Sequence, residues 1–150
     1  MNKRLKEILK EYETRKHKII KGDESMNIVV LAGGTSTERE ISIVTGTGVC
    51  KALRQKGHKA ILVDIFCGLE PVDWDEPFGD KDYEVDSAAE YMRSFDDDIE
   101  NIKRTRRSFF GPNVLELCQA ADIVFMGLHG SNGEDGKVQA TFDLLGIRYT

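Results

Sequence analysis

The sequence predicts a three-layer α/β domain, with a parallel sheet of about four strands and helices on both faces. Three observations point there. Short runs rich in apolar and β-branched residues recur at Asn27–Ala32, Lys59–Ile65 and Ile123–Leu128, and Ile147–Tyr149 opens a fourth; such runs suit strands buried on both faces of a parallel sheet. Stretches with helical apolar spacing lie between them. The first and third runs each lead at once into a glycine-rich loop, and ligands in open α/β sheets bind at that carboxyl edge.

Composition bounds the function. The chain has 150 residues, 40% apolar and 31% charged, with a net charge of −5, which is about one domain of ordinary soluble balance. A mildly acidic chain lacks the basic face that displaces counterions from nucleic acid, so DNA and RNA are excluded as partners. No apolar run approaches the roughly 18 residues of a membrane span, and the charged start leads into Glu7 and Lys10 instead of a signal-peptide core. Cys50, Cys67 and Cys118 lie far apart and in no C-x-x-C pair, which argues against a zinc site or disulfide framework. Cys50 and Cys118 fall on apolar faces of predicted helices. The expectation is a cytoplasmic protein with no membrane partner.

Taken in order, residues 1–25 read as a helical extension. Leu5, Ile8, Leu9 and Tyr12 recur at helical spacing, and such a stripe is more often a packing face against the chain's own domain than a docking face for a partner or second subunit. Gly22, Asp23 and Ser25 punctuate the chain, and the domain proper is expected over residues 26–150. After the first strand, Gly33–Thr37 forms a loop and Glu38-Arg39-Glu40 opens a helix with apolar positions Ile41, Val44, Val49 and Leu53, closed by Gly57. The second strand follows, so this is a strand, glycine loop, helix, strand unit with a right-handed crossover.

Residues 66–110 read as an insertion. Its first part, 66–86, is acidic and interrupted by Pro71, Pro77, Gly68 and Gly79; a solvated segment pinned by Trp74 and Phe78 is the economical reading, ahead of a metal-binding carboxylate cluster. Ser87 to Glu90 reads as a capping box, opening one helix whose stripe Tyr91, Phe95, Ile99 and Ile102 runs to Lys103. Arg104, Arg106 and Arg107 read as a basic helix end facing the macrodipole, ahead of a phosphate site. Pro112 is expected as the first residue of the next helix, with Val114, Leu115, Leu117 and Cys118 on its apolar face. A last helix through Val138, Phe142, Leu144 and Leu145 is expected to end at Gly146.

The chemistry concentrates in two loops. His129-Gly130-Ser131-Asn132-Gly133-Glu134-Asp135-Gly136 places three glycines, a histidine and two carboxylates between strand and helix. Glycines let backbone approach a ligand and leave amide N–H groups pointing at it. The first loop, Gly33-Gly34-Thr35-Ser36-Thr37-Glu38, lacks both the G-x-G-x-x-G and G-K-[ST] patterns, and Glu38 puts a carboxylate where a pyrophosphate would sit. That favours a small cationic or zwitterionic ligand over a nucleotide. Glu38 is therefore read as a substrate contact and Glu40 as an ordinary first-turn acid. His129 stands between two readings, a backbone-bonded structural histidine and a functional one. Asp135 is expected to cap the following helix.

Residues Gly33 to Ser42 and Leu128 to Gly136, in that order, closely resemble the amino-terminal domain of the D-alanine–D-alanine ligases, as does Gln139 to Thr150. The resemblance covers residues 26–150 apart from the acidic segment. It implies a Rossmann-like (pre-ATP-grasp) domain of an ATP-grasp enzyme, in which ATP phosphorylates the carboxylate of one D-alanine and the amino group of a second attacks the acyl phosphate, giving a dipeptide for peptidoglycan. By that likeness Glu38 would bind the ammonium of the first D-alanine, and His129 would sit beside the same substrate with Ser36 and Gly130. Glu134 would hold the site by hydrogen bonding, and Ser36 and Ser42 would shape the loop and cap. ATP and Mg2+ are implied as cofactors, held by ATP-grasp domains expected outside this chain, which would then be a fragment inactive alone. A homodimer is also compatible with the family. Two rivals stand beside this reading: a ligase joining D-alanine to D-lactate or D-serine, and a non-catalytic small-ligand module.

Overall fold

A computed structural model describes residues 2–21 and 25–150, with the side chains of residues 15–21, 132 and 134 outside the description. The expected turn residues Gly22 and Asp23 lie outside the described residues.

The elements follow in the order α1 (Lys3–Lys21), β1 (Asn27–Ala32), α2 (Arg39–Gln55), β2 (Lys59–Asp64), α3 (Val85–Arg93), α4 (Ile99–Thr105), α5 (Val114–Ala120), β3 (Ile123–Met126), α6 (Ser131–Glu134) and α7 (Lys137–Leu145). The sheet is parallel in the order β2-β1-β3. Among the described residues it has three strands where about four were expected. The fourth run contributes a parallel bridge from Tyr149 to Val124, with the Val124 N–H bonded to the Arg148 carbonyl and the Thr150 N–H to the Val124 carbonyl.

The α/β reading holds, and the pleat explains it. Alternate residues of β1 and β2 point to opposite sides. Val29, Leu31, Ile61 and Val63 join Val114, Leu117, Val138 and Phe142 of α5 and α7. Ile28, Val30, Ala60 and Leu62 join Ile43 and Cys50 of α2 and Val85, Ala89 and Met92 of α3. Both faces of the strands are therefore covered, which is why their sequences are nearly continuous apolar runs. Each such fully buried aliphatic side chain contributes roughly 1.5–3 kcal/mol.

Several local expectations are corrected. On α2, Ile41 and Val44 are more than half exposed, and the buried residues are Arg39, Ser42, Ile43, Gly46 and Cys50. The reason is close approach: a Cβ at Gly46 would stand 2.8 Å from the Ala32 Cβ and 2.9 Å from Leu62, so the helix meets the sheet through its smallest residues. Ser87 caps nothing, because α3 begins at Val85 with Glu84 at its N-cap and no side-chain cap bond; burying Val85 and Ala89 sets the start. The single helix expected to Lys103 is broken at residues 94–98, where Asp96, Asp97 and Asp98 suit the start of α4 better than a helix interior. Pro112 precedes α5 by two positions, and Asn113 is the N-cap with φ 64°.

In the acidic segment Phe78 is buried but Trp74 is 49% exposed, so only the first of the two anchors holds. Phe66 and Cys67 are also core residues. Arg106 lies 4.4 Å from the Phe66 ring centre and donates to the carbonyls of Phe66, Ser108 and Phe109, which makes it a structural cation. On α1 the stripe does not cover the domain: Leu5, Ile8, Leu9 and Tyr12 remain about half exposed, and Tyr12 meets the guanidinium of Arg148 at 6.0 Å. At the end of α7, Leu144 is exposed while Val138 and Phe142 are buried, and Gly146 caps the helix as expected. No helix among the described residues is long and apolar enough to cross a membrane.

All three cysteines are buried and free. Burial pushes each thiol up to about 12 from an ordinary 9.0, with the Asp64 carboxylate adding to the effect at Cys67. Tyr83, partly buried with its hydroxyl accepting from the Leu62 N–H at 2.9 Å, is also raised to about 12. Groups raised in the folded state stabilise it fully below their unfolded values and cease to do so as pH climbs toward the folded ones. The chain is expected to lose stability progressively between about pH 9 and 12, as read by denaturant melts; a flat profile over that window contradicts the burial of these groups.

Candidate functional site

The two glycine loops meet at the carboxyl edge of the sheet. Gly33 has φ 76° and Gly34 φ 84°, and a Cβ at Gly33 would lie 2.6 Å from the Asp64 carboxylate, so the chain can turn here only without a side chain. The fully buried Ser42 ties the loops together: its Oγ accepts from the Gly33 N–H at 3.0 Å and donates to the Gly127 carbonyl at 2.7 Å. Higher up, Ser36 Oγ donates to the His129 carbonyl at 3.0 Å and accepts from the Glu38 N–H at 3.2 Å.

Glu38 is the N-cap of α2 by position and makes no side-chain cap bond there. Its carboxylate turns instead toward the second loop. A Cβ on Gly130, where φ is 71°, would stand 2.8 Å from Glu38 Oε2 and 3.0 Å from Ser36 Oγ. The missing side chain at Gly130 is thus what lets an acid from one loop lie against the backbone of the other. His129 is half-buried, with Nε2 3.3 Å from Thr45 Oγ1 of α2. The edge therefore gathers a carboxylate, an imidazole and two hydroxyls beside the half-buried backbone of His129 and Gly130. Such a set can pair with an ammonium through charge-assisted hydrogen bonds.

Asp135 is not the N-cap expected of it: Gly136 holds that position on α7, and Asp135 closes α6 while its Oδ1 accepts from the Lys137 N–H at 3.1 Å. Glu40 forms an exposed pair with Arg93 at 2.8 Å, linking α2 to α3. The hydrogen-bonding role expected of the Glu134 side chain lies outside the described residues. A cavity of about 390 Å³ adjoins both loops, lined by Thr35, Phe109, Phe110, Asp135, Lys137, Val138 and Thr141; it does not include Glu38 or His129.

Sequence reasoning missed Arg39, Asp64 and Thr45. Two of these carried a signal. Asp64 is a carboxylate inside the apolar run Ala60–Phe66, and Arg39 is a cation in the first turn of a helix, where the macrodipole disfavours it. Each needs a partner, and they find each other.

An α/β domain with two glycine loops bonded to one another across the carboxyl edge of a parallel sheet is a small-ligand domain of the kind the edge rule describes. The D-ala D-ala ligase N-terminus family model matches residues 27–150, and the chain belongs to that family. It is 47% identical over 128 residues to D-alanine–D-alanine ligase of Lacticaseibacillus casei, covering 83% of this chain and 36% of that protein. It is 44% identical over 133 residues to the D-alanine–D-alanine ligase of Pediococcus pentosaceus (83% and 37%), and 38% identical over 125 residues to that of Leptospira interrogans (82% and 33%). The chain thus spans about a third of the length of the curated relatives it matches. Among solved structures, D-alanine–D-alanine ligase from Bacillus anthracis complexed with ATP aligns at 24% identity and TM-score 0.48, over 84% of this chain and 28% of that one. The family assignment rests on the sequence matches.

Proposed function

We propose that this chain supplies the wall of a D-alanine–D-alanine ligase that receives the first D-alanine. The observation that carries the reading is the contact between loops, in which the Glu38 carboxylate lies against Gly130 while Ser36 bonds the His129 carbonyl. Glu38 takes the ammonium of the amino acid, and His129 stands beside the same molecule. Ser36 and Ser42 hold the loops at the spacing the substrate needs, and Glu134 supports the second loop by hydrogen bonding. The work done by these residues is positioning: they fix one reactant so that its carboxylate can be activated and then attacked by a second amino group.

The residues of this chain do not suit the cofactors. Glu38 sits at the helix start where a phosphate would be cradled, and a negative group there repels it. Among the described residues no cluster of three or more His, Cys, Asp or Glu side chains is placed to hold a metal ion. ATP and Mg2+ are assigned to ATP-grasp domains, which are the chain's proposed working partners in the cytoplasm, and residues 1–25 to an extension outside the ligase domain. Those ATP-grasp domains would supply the ATP that activates the substrate carboxylate.

The test is a chimera in which the matching segment of the Lacticaseibacillus casei ligase is replaced by residues 27–150 of this chain. ATP-dependent phosphate release with D-alanine is expected, with D-lactate and D-serine assayed beside it as second substrates. A folded chimera that releases no phosphate with any of the three overturns the ligase reading.

A further inference from the structure

We propose that Arg39 is a positioning residue for this site: its guanidinium clamps the first glycine loop to α3 and the turn after it, and so fixes where Glu38, one residue earlier, presents its carboxylate. The inference rests on the reading of Glu38 as the ammonium contact. Arg39 is 9% exposed and uses its fork on four groups from four parts of the chain. Nη1 donates to the Gly34 carbonyl at 2.9 Å and lies 2.6 Å from Asp64 Oδ2 as an ion pair, though not as an aligned hydrogen bond. Nη2 donates to the Met92 carbonyl at 2.7 Å, and Nε to Asp96 Oδ1 at 2.9 Å. Burial works against the charge, but Asp64 and Asp96 outweigh it and hold the guanidinium above its ordinary value.

Asp64 completes the clamp from the other side. Its Oδ1 accepts from the N–H groups of Gly34, Phe66 and Cys67 at 3.3, 2.9 and 3.1 Å. Gly34 is therefore gripped at both its N–H and its carbonyl. Glu38 is the N-cap directly before Arg39 and its carboxylate lies against Gly130, so fixing Arg39 inward fixes the backbone from which Glu38 projects. A consequence for the fold is that Met92 of α3 and Asp96 of the turn after it support the substrate loop from behind. Lysine keeps the charge but lacks the planar fork, so it can hold Asp64 and not the rest.

The experiment uses the 150-residue chain, read by NMR. In Arg39→Lys, the D-alanine dissociation constant is expected to rise about tenfold, and the Gly34 and Glu38 amides to lose protection from hydrogen exchange. Val114→Ala, on the far face, is expected to lower the melting temperature while leaving both readouts unchanged. A dissociation constant within about twofold of the parent, with those amides equally protected, overturns the proposal, as does an equal effect from Val114→Ala. If Arg39→Lys does not fold, Asp96→Asn decides on the same two readouts with smaller shifts, since the Asp96 side chain is half exposed. If the parent chain does not bind D-alanine, the functional reading fails on its own and amide protection alone decides for or against the clamp.

Discussion

In the chimera, Glu38→Ala is expected to lower kcat/KM for D-alanine by about a hundredfold or more, the scale of losing one hydrogen-bonded charge partner in a partly buried site. The loop itself should survive the change. The Glu38 backbone is held through its N–H by Ser36 Oγ, and no side-chain bond to the helix start is lost. Removing the carboxylate therefore leaves the same opening without the group proposed to pair the ammonium. Glu38→Gln keeps the shape and removes the charge, so most of the loss should persist in it. A change of melting free energy within about 0.5 kcal/mol, as for surface substitutions, separates this from a folding defect. Unchanged turnover in Glu38→Ala removes the residue from the substrate contact.

The second large effect is on stability. Asp64→Ala is expected to cost about 3–5 kcal/mol, because it removes the buried partner of a buried arginine and leaves it only the half-exposed Asp96. Asp64 has no exposed surface. Its loss also frees the N–H groups of Gly34, Phe66 and Cys67, all three of which are buried residues. A domain has about 5–15 kcal/mol in all, so the variant should melt far below the parent or not fold. A denaturant midpoint close to that of the parent contradicts the account of the clamp as a buried, mutually dependent pair.

The strands and loops were legible because each is written in local chemistry. Val29 to Leu31 and Ile61 to Val63 are buried on both sides, and continuous apolar sequence has no other economical use. The loop glycines announce themselves by number and position. The buried face of α2 was not legible, since Ile41 and Val44 carry the apolar signal but face outward, and Gly46, with no side chain to register, marks the actual contact. The α3–α4 break was hidden for a related reason: the apolar stripe continues through Phe95, but Asp96 is taken by Arg39 from α2, a contact no local pattern contains. The same holds for Thr45, which reaches His129 from the other end of the sequence. What sequence periodicity cannot supply is the identity of long-range polar partners.

The most direct test of the central claim is a crystal structure of the chain, or of the chimera, with D-alanine bound. The account predicts one amino acid with its ammonium about 3 Å from the Glu38 carboxylate, in contact with His129 and Gly130 of the second loop. D-alanine bound elsewhere, or touching one loop while the other stands away from it, contradicts the account.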